Sequence, residues 1–171
     1  MRNTGTLTVT TPTDREIVMS RVFDAPRRLV FDALTRPELL RRWYGPRAYH
    51  LVVCEIDLRI GGSWRYVVRA PDGSEMVLRG SYLEIDRPAR LVNTAANDDC
   101  DAVAGSESLV ITVLDEYAGR TTLTSTERYP SRRIRDAALN SGMEHGVAQG
   151  YDRLAEALAT LDSQSSDRVA R

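Results

Sequence analysis

The chain predicts an α+β domain: a curved seven-stranded antiparallel sheet, two short helices and one long C-terminal helix, in the order β-α-α-β6-α. Three observations predict it. Period-two alternation fills the middle of the chain, with turn dipeptides between the runs. Tight turns join most of those runs, and tight turns require antiparallel neighbours. Met143, Val147, Tyr151, Leu154, Leu158 and Leu161 recur at three- and four-residue spacing, the stripe of an amphipathic helix. A curved antiparallel sheet must bury one face, and that helix is the obvious cover.

The elements follow in order. Residues 1–13 are Thr-rich and lack periodicity, which predicts a flexible arm that can extend the first strand. Glu16–Phe23 is short and β-branched, a strand by pattern. Pro26 suits the first position of a helix that gathers Leu29, Val30, Ala33 and Leu34 on one side. A second helix, Pro37–Trp43, carries Leu39 and Leu40, and Arg36 is a poor cap for it. Tyr49–Leu58 then puts Val52, Cys54, Ile56 and Leu58 on one face. Gly61-Gly62 and Asp72-Gly73 are hairpin signals around Ser63–Ala70, which alternates Trp64, Tyr66 and Val68 with Arg65, Val67 and Arg69. Glu75–Ile85 places Met76, Leu78, Gly80 and Tyr82 on one side. Arg90–Ala95 follows a turn at Asp86-Arg87-Pro88, and a loop over Asn97–Gly105 leads to a last hairpin, Glu107–Tyr117 and Arg120–Tyr129, around Ala118-Gly119. The run from Ser131 to Leu161 spans ~45 Å if helical and unbroken. Residues 162–171 are polar and predict a disordered tail, which leaves 14–161 as one domain.

Composition narrows the function. The 171 residues suit one domain, with 42% hydrophobic and 27% charged residues, as in ordinary soluble proteins. A net charge of −1 argues against a nucleic-acid module, which carries a basic excess. No apolar run approaches the ~20 residues of a membrane helix, and the first residues carry no apolar secretory segment. The reading is cytoplasmic, with neither nucleic acid nor membrane as partner. Cys54 and Cys100 are far apart with no Cys or His at ligand spacing, so no metal site is expected. Cys54 falls in an apolar strand pattern, and Cys100 in an acidic loop that disfavours its thiolate. All 23 basic residues are arginine, which excludes Schiff-base and other lysine chemistry.

Rings are grouped where the chain bends. Phe, Trp and Tyr are 6% of the residues, yet Arg41–Pro46 reads R-R-W-Y-G-P and Gly61–Arg65 reads G-G-S-W-R. Aromatics build cores, and they also line pockets with a polar tip attached. Trp43 alone reads as core. Tyr44, Trp64, Tyr66 and Tyr82 together need partners for their hydroxyl and N–H groups, which favours a pocket.

The ordered set Val22–Pro46, Asp57–Arg65, Pro71–Val92 and Ser141–Leu158 resembles the SRPBCC superfamily, the START-like and birch-pollen-allergen-like proteins. Within it the chain resembles the branch named for the activator of the ninety-kilodalton heat-shock-protein ATPase. Coverage is roughly residues 15–161. The resemblance implies a helix-grip fold, in which the sheet curls around the C-terminal helix and an apolar cavity lies between them. It implies that Trp43, Tyr44, Trp64, Tyr66, Tyr82, Met143, Val147 and Tyr151 lie on or near that cavity. A homodimer is compatible with the family. Three positions depart from its pattern: Tyr44 and Val147 stand where the family commonly has Trp, and Arg36 where it has an acidic cap. Losing an indole at Val147 either widens the cavity or lets neighbours collapse inward. Co-chaperone activity in the eukaryotic activator involves an additional N-terminal domain, for which this length leaves no room, so the branch name is a fold-level analogy.

Individual candidates each carry two readings. Gly142, Gly146 and Gly150 share a helix face, leaving room for a ligand or for close packing against the sheet. His145 is two residues from Met143 and from Val147 and points away from that stripe. His50 has no evident partner. Glu84 shares Tyr82's strand face by spacing, and Glu127 is similar on the last strand. A carboxylate pair there could serve acid–base chemistry, but ion pairing with arginine or edge exposure is the better reading. Asp98, Asp99 and Asp101 lack the spacing and glycine of a calcium loop. No nucleophile elbow, P-loop or dinucleotide fingerprint is present.

Three functions follow: a binding protein for a small apolar or aromatic molecule, needing no cofactor; a cyclase, dehydratase or hydrolase acting on a hydrophobic compound; or a chaperone-associated interaction module. Catalytic groups do not cluster on the cavity-facing stripes, which favours the first.

Overall fold

The computed structural model describes residues 7–99 and 106–169. Its strands are β1 Thr8–Thr10, β2 Glu16–Phe23, β3 His50–Ile56, β4 Ser63–Arg69, β5 Glu75–Asp86, β6 Arg90–Asn97, β7 Glu107–Tyr117 and β8 Arg120–Arg128. Its helices are α1 Arg27–Thr35, α2 Pro37–Trp43, α3 Arg132–Asn140 and α4 Met143–Val169. All strands join one antiparallel sheet in the order β1-β2-β8-β7-β6-β5-β4-β3. The sheet curves around α4, while α1 and α2 link β2 to β3 at opposite flanks. This is an α+β helix-grip architecture.

The strand count corrects the expectation of seven. Thr8–Thr10 pairs with Val18–Ser20 on the outer edge of β2, so this part of the N-terminal segment adds an edge strand beside the first predicted one. Thr and Val favour a pleated edge, and the pairing covers backbone groups that β2 would otherwise expose.

The C-terminal helix is also not one piece. Ser131 caps α3 by accepting from the Ile134 N–H at 3.3 Å. Gly142, at φ +81°, ends that turn in the left-handed region, where glycine alone is unstrained. From Met143, α4 runs 27 residues, about 40 Å, and continues to Val169 beyond the apolar stripe. At the other end of the chain, Pro26 stands one position earlier than expected, at the N-cap of α1, while Pro37 begins α2. Arg36 makes no side-chain cap, in keeping with its chemistry.

Two bulges re-aim side chains. Pairing shifts between Leu51 and Val53, so Leu51 joins Cys54 on the inner face in place of Val52. A second shift between Tyr82 and Glu84 leaves Tyr82 buried and turns Glu84 outward, where it accepts from Arg90 Nε at 2.9 Å. Glu84 therefore does not share Tyr82's face, and the carboxylate pair with Glu127 does not exist. The Asp72-Gly73 and Ala118-Gly119 turns are tight, with positive φ at Gly73, Ala118 and Gly119. Gly61-Gly62 instead closes a longer connection whose backbone pairs with Tyr82.

The main core lies between the concave sheet face and α1, α2 and α4. Phe23, Val30, Phe31, Leu40, Leu114, Leu123, Leu154 and Leu158 are buried there. A smaller cluster, Ile17, Met19, Tyr129 and Ile134, holds α3 over the β2 end of the sheet.

Candidate functional site

Between the concave face and α4 lies a cavity of about 1140 Å³. All eight residues singled out in the sequence border it. Trp43 ends α2, Tyr44 follows it, Trp64 and Tyr66 come from β4, Tyr82 from β5, and Met143, Val147 and Tyr151 from α4. Alternation on the strands and the three-to-four spacing on α4 aim them at the same space.

The rings form a continuous wall. Centroid separations are 4.7 Å for Trp64–Tyr66, 5.1 Å for Tyr44–Tyr66, 5.5 Å for Trp43–Tyr44 and 6.4 Å for Trp43–Tyr151. Phe23 extends it behind Tyr151 at 5.7 Å, edge to face. Both indole N–H groups are used by the backbone: Trp43 donates to Ala33 O at 2.9 Å and Trp64 to Thr94 O at 3.2 Å. The indoles therefore offer the cavity apolar faces. The phenols are the polar tips. Tyr66 donates to Tyr82, and burial pushes the Tyr82 hydroxyl up to about 12. Burial also raises Tyr44, Tyr66 and Tyr151, so all four phenols stay protonated at neutral pH. Cys54 packs beneath this wall, and burial pushes its thiol up to about 11, which makes it an inert thiol.

The opposite wall is more polar. Asn93 from β6, Ser108 and Thr112 from β7, Ser125 and Glu127 from β8, and Tyr129 just after β8 line it. Glu127 accepts from Ser108 Oγ at 2.7 Å and from the Tyr129 hydroxyl. Burial raises the Glu127 carboxyl, and those two hydrogen bonds oppose the rise. Ser108 and Tyr129 were not singled out in the sequence; the signal for Tyr129 was its period-two spacing from Glu127.

The rim between Tyr44 and Tyr49 is fastened to α4. Arg153 Nη1 donates to the carbonyls of Tyr44, Gly45, Pro46 and Tyr49 at 3.0–3.4 Å. Gln149 Oε1 accepts from the Arg47 N–H at 2.9 Å, and Arg47 pairs with Glu156. These contacts give the glycine face a neighbour that neither reading named. A Cβ at Gly146 would meet Pro46 Cγ at 3.4 Å, and one at Gly150 would meet Gly45 backbone at 3.5 Å. The bare helix face receives the loop rather than the sheet, while Gly142 belongs to the helix break. His145 is exposed at the rim, 2.9 Å from Gln149, and His50 is exposed on β3.

Among the described residues no group of three His, Cys, Asp or Glu side chains could hold a metal ion. Asp98 pairs with Arg79 at 2.8 Å and Asp99 accepts from the Val77 N–H at 2.5 Å. Cys100 and Asp101 lie outside the described residues. No described helix is long and apolar enough to cross a membrane.

A sheet gripping a long helix around an aromatic-lined cavity defines a START-like domain of the SRPBCC type. Residues 24–159 match the family model described as Activator of Hsp90 ATPase homolog 1-like protein, and the chain belongs to that family. Solved structures agree on the fold. A protein from Rhodobacter sphaeroides is 27% identical, with a TM-score of 0.83 over 90% of this chain and 99% of its own. One from Nitrosomonas europaea is 24% identical, with a TM-score of 0.79 and the same coverage. A Silicibacter pomeroyi protein bearing the family's name is 23% identical, with a TM-score of 0.69 over 85% of this chain and 98% of its own. No curated protein matches the chain.

Proposed function

We propose that this protein binds a small, largely apolar or aromatic molecule in the cavity, as a carrier or sensor and not as a catalyst. The observation that carries this reading is the cavity itself: about 1140 Å³ with a continuous ring wall on one side. That volume lies slightly above the ~300–1,000 Å³ of ligand pockets. Removing apolar ligand surface from water would drive binding at ~25 cal/mol per Å², before the costs of association. The proposed contacts are Trp43, Tyr44, Trp64, Tyr66, Tyr82, Met143, Val147 and Tyr151.

An enzyme in the same space would need at least two convergent titratable groups. Among the described residues Glu127 has only neutral hydroxyl partners, and Glu84 faces outward. That distribution favours binding over acid–base turnover.

The test uses the neutral apolar fluorophore phenyl-naphthylamine. Both tryptophans of the chain border the cavity, so a probe bound there should quench their emission and gain its own. Saturable uptake at one probe per chain is expected. Linear, unsaturable uptake with unchanged tryptophan emission would contradict the proposal.

A further inference from the structure

The cavity has two chemically different walls, and the carboxylate on the polar one has no counter-charge among the described residues. Glu127, Val110, Asn93 and Tyr82 are successive cross-strand partners on β8, β7, β6 and β5. Three strand spacings of ~4.8 Å separate the carboxylate strand from the Tyr82 strand, at most about 14 Å across the sheet. At one end of this row stands Glu127, and at the other the Trp64–Tyr66–Tyr82 group.

Glu127 receives two hydroxyl hydrogen bonds, from Ser108 and Tyr129. An ionised carboxylate accepts about four, so it has capacity for another donor. The chain is rich in arginine, and its ion pairs engage Glu16, Glu38, Glu55, Glu75, Glu84 and Glu156. Among the described residues no arginine pairs with Glu127. Tyr44 from the α2–β3 junction and Tyr151 from α4 line the same cavity as Glu127, so phenol rings border the space it faces. A carboxylate facing aromatic rings attracts a cation from both sides, by charge and by the ring quadrupole.

Resting on the cavity-binding reading, we propose that Glu127 anchors the head group of the ligand, and that the ligand is an amine: an ammonium against Glu127 with an aromatic or apolar body along the ring wall. A neutral hydroxyl would supply a third hydrogen bond but leave the charge unbalanced, and an anionic head group would be repelled.

Three probes with one body separate the classes: naphthylethylamine, naphthylethanol and naphthylacetate, titrated by calorimetry into the full chain at neutral pH. The amine is expected to bind about tenfold or more tighter than the alcohol, and the acetate weakest. In Glu127→Gln the amine should lose that advantage while the alcohol is unchanged. Equal affinity for amine and alcohol would overturn the anchor and leave the cavity reading standing; so would preference for the acetate. Absence of all three from the cavity, together with no uptake of phenyl-naphthylamine, would overturn both. The comparison among probes on the unaltered chain decides the matter even if the variant fails to fold.

Discussion

At the scale of single residues, Glu127 and Val147 carry the sharpest consequences. Burial holds a proton on Glu127 above the ordinary carboxyl value of 4.5, while the unfolded chain releases it there. In that window the folded state binds more protons, so this group's contribution to stability falls as pH rises. The groups facing it are Ser108 on β7, Tyr129 after β8, Tyr44 at the α2–β3 junction and Tyr151 on α4; the phenols stay neutral through that range. Glu127→Gln should therefore be more stable relative to the parent at neutral pH than at mildly acidic pH, as read by thermal melts at both. A pH-independent difference would contradict the burial of the charge. Val147 stands on α4 between both core clusters and borders the cavity. Val147→Trp should fill the space and weaken phenyl-naphthylamine uptake at least about tenfold, ~1.4 kcal/mol, with the fold intact by circular dichroism. The eight ring and helix positions were legible as cavity neighbours through the family resemblance, which carries them over residue by residue; strand and helix periods alone mark most of them only as inward-facing. Ser108 and Tyr129 were not, because their role depends on Glu127, which lies on another strand from Ser108.

At the scale of elements, pattern reading located β2, α2 and the long middle strands closely, because their apolar periods are unbroken. It failed where one residue changes register. No residue type announces the bulges at Leu51/Val53 and Tyr82/Glu84; they arise from pairing with β4 and β6. The spacing argument that put Glu84 beside Tyr82 fails there for that reason. The break at Gly142 was present in the sequence as a glycine, but its positive φ decides between a helix interior and a helix end. Gly80 illustrates the same coupling between strands. A Cβ there would sit 1.9 Å from Thr94 O and 2.6 Å from Trp64 Nε1, where the indole donates to that carbonyl. Gly80→Ala should force β5 and β6 apart and cost about 1–3 kcal/mol in chemical denaturation. Wild-type stability in that variant would mean that β5 and β6 do not approach this closely.

At the scale of the whole molecule, the sheet order was implied by the chain of tight turns, and α4 by its stripe. The cavity was legible only through family resemblance, since periodicity predicts which face is buried but not whether the two buried faces touch. Here they touch at Phe23, Leu154 and Leu158 and separate toward Met143 and Val147, where α3, the Tyr44–Tyr49 rim and β5–β8 border a space. Arg153 and Gln149 fasten that rim to α4 and so fix its place beside the space. The central claim is that the space is a binding site. Native and denaturing mass spectra of freshly purified protein test it most directly. The account predicts a discrete small mass, amine-bearing by its fragmentation, that rides on the native chain and is lost on denaturation. A bare native mass that stays bare after incubation with naphthylethylamine in excess would contradict it.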